Sequence, residues 1–90
     1  MTNMEALEKI RTCADILARE YLNNGGRNWR AIFYYRAEMR EGFRALDCGV
    51  HSELGYRIFM QADGRREDYI KLRHLEEAVT IVMREGKHNA

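Results

Sequence analysis

The densest aromatic run in the chain, Trp29 to Tyr35, lies between two stretches of helical periodicity and most constrains the fold. β-Branched and aromatic residues follow one another from Ile32 to Tyr35, and these residue types are enriched in strands. In a strand, alternation would place Arg30, Tyr34 and Arg36 together on one face. We therefore predict a first strand over about residues 29–38.

Two more strands complete the predicted sheet. Gly42 would weaken a helix by up to about 1 kcal/mol, so residues 40–42 are assigned to a turn. A second strand is predicted from Phe43 to about Cys48, and the stretch from Gly49 to Gly55 is assigned to a loop. Residues 56–61 alternate and predict a third strand.

The same middle region also permits a helix. Residues 37–41 consist of alanine, glutamate, methionine and arginine, which favour helix by intrinsic propensity. The alternative fold is therefore mostly helical, with residues 28–46 forming a second long helix.

The N-terminal third predicts an amphipathic helix of about five turns. Thr2 and Glu5 have the spacing of a capping box, and Asn23 to Gly26 supply residues that tolerate the left-handed conformation at a helix end. Apolar residues recur in steps of three and four on one stripe: Met4, Leu7, Ile10, Ala14, Leu17 and Tyr21.

The C-terminal third predicts a helix over about residues 65–85, with Asp63 as a possible N-cap and Gly86 as the stop. A hairpin turn at Asp63-Gly64 leading to a strand over residues 69–72 is the alternative for its first part. The helical pattern is favoured because apolar residues again recur in steps of three and four. The predicted core residues on the two terminal helices are Leu7, Ile10, Leu17, Leu75, Val79 and Val82.

These elements predict an α+β fold, ordered α-β-β-β-α, in which two helices pack on one face of a small antiparallel sheet. The 90 residues form a single domain. No apolar run approaches the roughly 20 residues of a membrane span, and the N-terminus lacks the features of a signal peptide. We expect a cytoplasmic protein that does not associate with a membrane.

Residues for familiar catalytic, cofactor and metal sites do not occur in the required patterns. Ser52 is the sole serine, and its sequence neighbours His51 and Glu53 cannot converge on it as a triad does. Cys48 and His51 have metal-ligand spacing but lack a second tight pair. The adjacent acids Glu76 and Glu77 are expected on a solvated helix surface. We predict no enzymatic activity, no cofactor and no metal.

The arginine-rich, aromatic middle is the candidate binding surface. Residues 27–66 carry eight arginines and five acids, a net charge of +3, whereas the whole chain has +1. Arginine, tyrosine and tryptophan are enriched at protein interfaces. We therefore predict a protein-binding regulator, adaptor or inhibitor, and the same surface can also serve self-association. Nucleic acid bound by the same sheet face is the alternative, although acids interrupt the basic residues. The predicted contact residues are Trp29, Arg30, Tyr34, Arg36, Arg44 and Arg57.

Overall fold

A computed structural model describes residues 1–62 and 64–85, and all regular secondary structure within these residues is helical. There are four helices in this part of the chain: α1 (Asn3–Asn24), α2 (Trp29–Ala45), α3 (Val50–Gln61) and α4 (Arg66–Arg84). None of them combines the length and the apolar character needed to cross a lipid bilayer.

The predicted α+β fold is therefore wrong, and the alternative helix over residues 28–46 corresponds to α2. The prediction of a strand over residues 29–38 is wrong because inward-facing residues recur at helical spacing: Ile32 and Tyr35 pack against the core, and the series continues with Met39 and Phe43. Met39 is completely buried and Phe43 is 4% exposed, while Phe33 and Tyr34 face solvent. Packing of this face onto the other helices outweighs the strand preference of the aromatic run.

The two other predicted strands are also absent from the described residues. The first half of the second, which was predicted from Phe43 to Cys48, falls in the end of α2, and the third lies within α3. Of the predicted loop from Gly49 to Gly55, only Gly49 lies in the connection between α2 and α3. It immediately precedes α3, and its φ of 56° is one that glycine adopts readily. Gly55 lies inside α3 and is buried.

Both terminal helices match their predictions closely. The backbone N–H of Glu5 donates to Thr2 Oγ1 at 3.1 Å, and the Thr2 N–H donates to Glu5 Oε1 at 2.9 Å, which completes the predicted capping box. Gly25 ends α1 in the left-handed conformation, with φ 61°. Helix α4 begins after Arg65. The predicted N-cap Asp63, the stop at Gly86 and the tail 87–90 lie outside the described residues.

The helices form an up-down bundle in which α1 packs against α2 and α4, and α3 packs against the same two helices from the other side. Asn3 and Asp47 exchange two hydrogen bonds of 3.1 and 2.8 Å, so α1 begins where α2 ends. Tyr21 stacks on Tyr69 with 5.5 Å between ring centroids, so α1 ends where α4 begins. Neighbouring helices are therefore antiparallel.

Two buried glycines let the helices approach closely. A Cβ on Gly42 would stand 2.9 Å from Ile10 Cγ1 on α1. A Cβ on Gly55 would stand 2.5 Å from Phe43 Cε1 on α2 and 2.8 Å from Leu75 Cδ2 on α4. Residues that suggested turns in the sequence thus act as packing positions inside helices.

The core contains most of the predicted positions. Ile10 and Leu17 are completely buried, Leu7 is 1% exposed and Val79 is 2% exposed, whereas Leu75 and Val82 are half-buried.

Glu76 contradicts the predicted solvated surface, because it is only 4% exposed. It accepts hydrogen bonds from Arg73 Nη1 at 2.6 Å and from Thr80 Oγ1 at 2.9 Å. The buried carboxylate is therefore paired within α4, and Arg73 also reaches α1, where its Nε lies 3.3 Å from Asp15 Oδ1.

Candidate binding surface on helices α2 and α3

Large apolar side chains project into solvent from the first two turns of α2. Trp29 is 59% exposed and Phe33 is 67% exposed, and their rings make an edge contact with 5.8 Å between centroids. The Arg30 guanidinium lies 5.4 Å from the centroid of the Trp29 ring, within the range of a cation–π contact. Because Trp29 and Phe33 are four residues apart, both lie on one side of the helix.

The structure separates the six predicted contact residues into different environments. Trp29, Arg30, Tyr34 and Arg44 are exposed on α2, and Arg57 is exposed on α3. The sheet face that was predicted to bring them together does not exist, since the residues lie on helices and point in several directions around the bundle. Arg36, the sixth, is half-buried.

Arg36 connects three helices. Its Nη1 donates to the Tyr69 hydroxyl at 2.7 Å and to the Ala62 carbonyl oxygen at 3.2 Å. Its guanidinium also lies 4.6 Å from the ring centroid of the buried Phe59. These contacts join α2 to the end of α3 and the start of α4, so Arg36 supports the fold, and its replacement is a poor test of binding.

Tyr34 faces the α1 side of α2, away from Arg57. It lines an open depression between α1 and α2 together with Lys9 and Glu38. Lys9 forms ion pairs with both Glu38 and Glu41, and its hydrogen bond lowers the pKa of Glu38 below the usual value. Lys9 and Glu38 at this depression are therefore already paired within the protein.

A second open depression, which we call the α2–α3 groove, lies on the opposite side of α2. Phe43 and Tyr56 form its floor. Met60, which is 51% exposed, lines this groove and also a neighbouring hollow that Phe33 lines. The groove is lined by Phe43, Ser52, Glu53, Tyr56, Arg57 and Met60.

Arginines near the α2–α3 groove lack ionic partners. Within the described part of the chain, Arg40, Arg44 and Arg57 form no ion pair and no side-chain hydrogen bond. The Nε of Arg40 is buried without a hydrogen-bond partner, and its guanidinium lies 5.9 Å from the Phe59 ring centroid. These three arginines are therefore not neutralised by ion pairs within the described residues.

Our sequence interpretation missed Phe33, Arg40 and Met60 as members of this surface. Phe33 was assigned to the other face of a strand from Arg30 and Tyr34. The spacing of four residues between Trp29 and Phe33, and between Arg40 and Arg44, would have placed these pairs on shared helix faces.

Few groups here have the arrangement of a catalytic or metal site. Ser52 Oγ accepts a hydrogen bond of 2.8 Å from the backbone N–H of Cys48. Within residues 1–62 and 64–85, no three histidine, cysteine or acidic side chains cluster as metal ligands do.

Comparisons with protein-family models, curated proteins and solved structures found no match to this chain.

Proposed function

We propose that this protein is a small non-enzymatic binding module, a regulator, adaptor or inhibitor, that contacts a protein partner through α2 and α3. The observation that carries the proposal is the juxtaposition of solvent-exposed Trp29, Phe33 and Met60 with unpaired arginines. Large aromatic side chains and arginines contribute much of the binding energy at protein interfaces. The cytoplasm remains the predicted compartment.

The contact region in this proposal differs from the six residues predicted from sequence. Trp29, Arg30, Arg44 and Arg57 remain in it, and Phe33, Arg40 and Met60 join them. Arg36 is excluded because its guanidinium is engaged by Tyr69 and Ala62. Tyr34 is excluded because it borders the α1–α2 depression.

Site-specific photocrosslinking in cells tests the proposal. A photoreactive phenylalanine analogue replaces Phe33 in one variant and Ile81 in another. Ile81 is a matched control because it is also a large apolar side chain, 52% exposed, but it lies on α4. We expect discrete protein adducts from position 33 and few from position 81. Equal adduct patterns at the two positions, or none at position 33, would contradict a binding surface on α2.

Nucleic acid is the second candidate ligand, because exposed aromatics beside arginines also suit stacking on bases and contact with phosphates. The net charge of +1 and the acids Asp47 and Glu53 make the surface less basic than phosphate binding requires. Size-exclusion chromatography with light scattering separates the two candidates. A complex that dissociates on nuclease treatment and in high salt would favour nucleic acid, whereas insensitivity to both favours a protein partner or a dimer.

A further inference from the structure

A hollow at one end of the bundle, which we call the Arg36 hollow, lies where α1 and α3 end and where α2 and α4 begin. The four helices contribute Tyr21, Ile32, Gln61 and Tyr69 to its walls, and its volume is about 530 Å³. Sites for small molecules usually have volumes of about 300–1,000 Å³. The Arg36 hollow is therefore large enough for a small molecule.

Arg36 is the single charged residue among the described residues that line this hollow. Its guanidinium has no carboxylate within 4.0 Å in residues 1–62 and 64–85. The guanidinium of Arg40, which also forms no ion pair, lies 5.9 Å from the centroid of the Phe59 ring that Arg36 contacts at 4.6 Å. The charge that the Arg36 hollow presents is therefore positive, and a ligand of complementary charge is an anion.

The guanidinium of Arg36 is fixed in position by the protein itself. Nη1 donates to the Tyr69 hydroxyl and to the Ala62 carbonyl oxygen, and the Phe59 ring supports the group from one side. Nε and Nη2 form no hydrogen bond within the described part of the chain, and both nitrogens are accessible to solvent. Together they form the edge of a guanidinium that binds a carboxylate through two parallel hydrogen bonds. Because this edge is already oriented, little conformational entropy is lost when a carboxylate binds.

The rim of the Arg36 hollow is apolar. Phe33 and Met60 both line the hollow, and they are 67% and 51% exposed. A ligand that covers these side chains removes apolar surface from water, which favours binding. Inorganic phosphate would leave this surface exposed and would bring a second negative charge, for which the described lining holds no cation. A carboxylate attached to an apolar body therefore fits the hollow better than an inorganic anion.

We infer that the Arg36 hollow is a binding site for a small carboxylic acid with a flat apolar body. Nε and Nη2 of Arg36 donate to the carboxylate, and the apolar body contacts Phe33 and Met60. This inference does not depend on the proposed protein-binding function, in which Arg36 has no part. The two hydrogen bonds of Nη1 that exclude Arg36 from a protein contact also orient its free edge for a small ligand.

The test compares naphthoate with naphthamide, which has nearly the same shape but no charge. Each compound is titrated into the full-length, isotope-labelled protein in slightly acidic buffer, and nuclear magnetic resonance follows the arginine Nε–H signals, assigned through bonds. We expect naphthoate to bind at least about tenfold more tightly than naphthamide, because the amide cannot form the charged pair of hydrogen bonds. The Nε–H signal of Arg36 should shift more than that of any other arginine.

Two variants with the same chemical change provide a matched comparison. Arg36→Lys keeps the positive charge but removes the edge with two nitrogens, and it should weaken naphthoate binding at least about tenfold. Arg84→Lys makes the same change at an exposed arginine at the far end of α4 and should bind naphthoate as the wild type does. Far-ultraviolet circular dichroism establishes whether both variants are folded. If Arg36→Lys does not fold, the two compounds and the Arg36 signal in the wild type still decide the inference.

Four outcomes would overturn the inference. These are no binding of naphthoate, equal affinities for naphthoate and naphthamide, a largest shift at an arginine other than Arg36, and displacement of naphthoate by an equal concentration of inorganic phosphate. The last result would mean that the hollow selects negative charge without the apolar body. The crosslinking comparison between positions 33 and 81 uses neither compound, so failure of the small-molecule site can be told apart from failure of the protein-binding function.

Discussion

Replacing Gly55 by alanine tests the central packing contact of the bundle. The new Cβ would stand 2.5 Å from Phe43 Cε1, about 1 Å closer than ordinary van der Waals contact allows. Phe43 has little freedom to move away, because it is 4% exposed and lies against Phe59 with 5.9 Å between ring centroids. Leu75 Cδ2, at 2.8 Å, obstructs the other side.

The magnitude follows from two opposing effects. Overpacking a close-packed core costs about 1–3 kcal/mol. Alanine also favours the helix over glycine by up to about 1 kcal/mol. The two effects leave a net loss, and we expect the free energy of unfolding to fall by up to about 2 kcal/mol in Gly55→Ala. Urea denaturation followed by circular dichroism measures this change through the midpoint at an unchanged slope.

Two further variants make the comparison specific. Ala37→Gly, at an exposed position of α2, should lower stability by about 1 kcal/mol and calibrates the helix-propensity effect. Phe43→Leu removes the ring that obstructs the new Cβ, so Gly55→Ala should cost less in that background than in the wild type. Stabilisation by Gly55→Ala in the wild-type background, as at an open helical site, would refute the packing argument.

Four other predictions test the core, its polar contacts and its thiols. Ile10→Ala should lower the free energy of unfolding by about 2–5 kcal/mol, because the side chain is completely buried, and unchanged thermal stability would contradict the packing of α1. Tyr69→Phe should cost about 1.5–3 kcal/mol in urea denaturation by removing the acceptor for Arg36, and a change below experimental error would mean that this bond is absent in solution. Burial raises the pKa of the Cys13 thiol from 9.0 to about 11, so the folded state holds this proton more tightly than the unfolded state. The free energy of unfolding should therefore fall as the pH rises from about 9 to 11. At pH 8, Ellman's reagent should modify the half-buried Cys48 before Cys13, and equal rates would contradict the burial of Cys13.

Local sequence signals were sufficient to predict the two terminal helices. The capping box at Thr2 and Glu5, the apolar stripe and the glycines after Asn24 are local signals that act within a few residues of each other. The stripe of α4 identified the buried Val79 for the same reason. Such signals need no knowledge of the rest of the chain.

Contacts between helices determined the conformation of the middle of the chain and the exposure of most residues of the candidate site. In α2, strand-favouring aromatics occupy a helix because Met39 and Phe43 are buried at helical spacing, while Phe33 is left exposed. Gly55 suggested a loop, but inside a bundle the lack of a side chain permits close helix contact.

Tertiary contacts also determined whether two charged residues, Arg36 and Glu76, are exposed or buried. Arg36 was expected on a binding surface, and it faces inward because Tyr69 and the Ala62 carbonyl group, both more than 25 positions away in the sequence, accept its hydrogen bonds. Glu76 is buried because Arg73 and Thr80 satisfy its carboxylate. The environment of a charged side chain depends on partners that only the folded arrangement brings within hydrogen-bonding distance. Local sequence therefore determined where helices begin and end at the termini, and the packing of helices determined which arginines remain available to a partner.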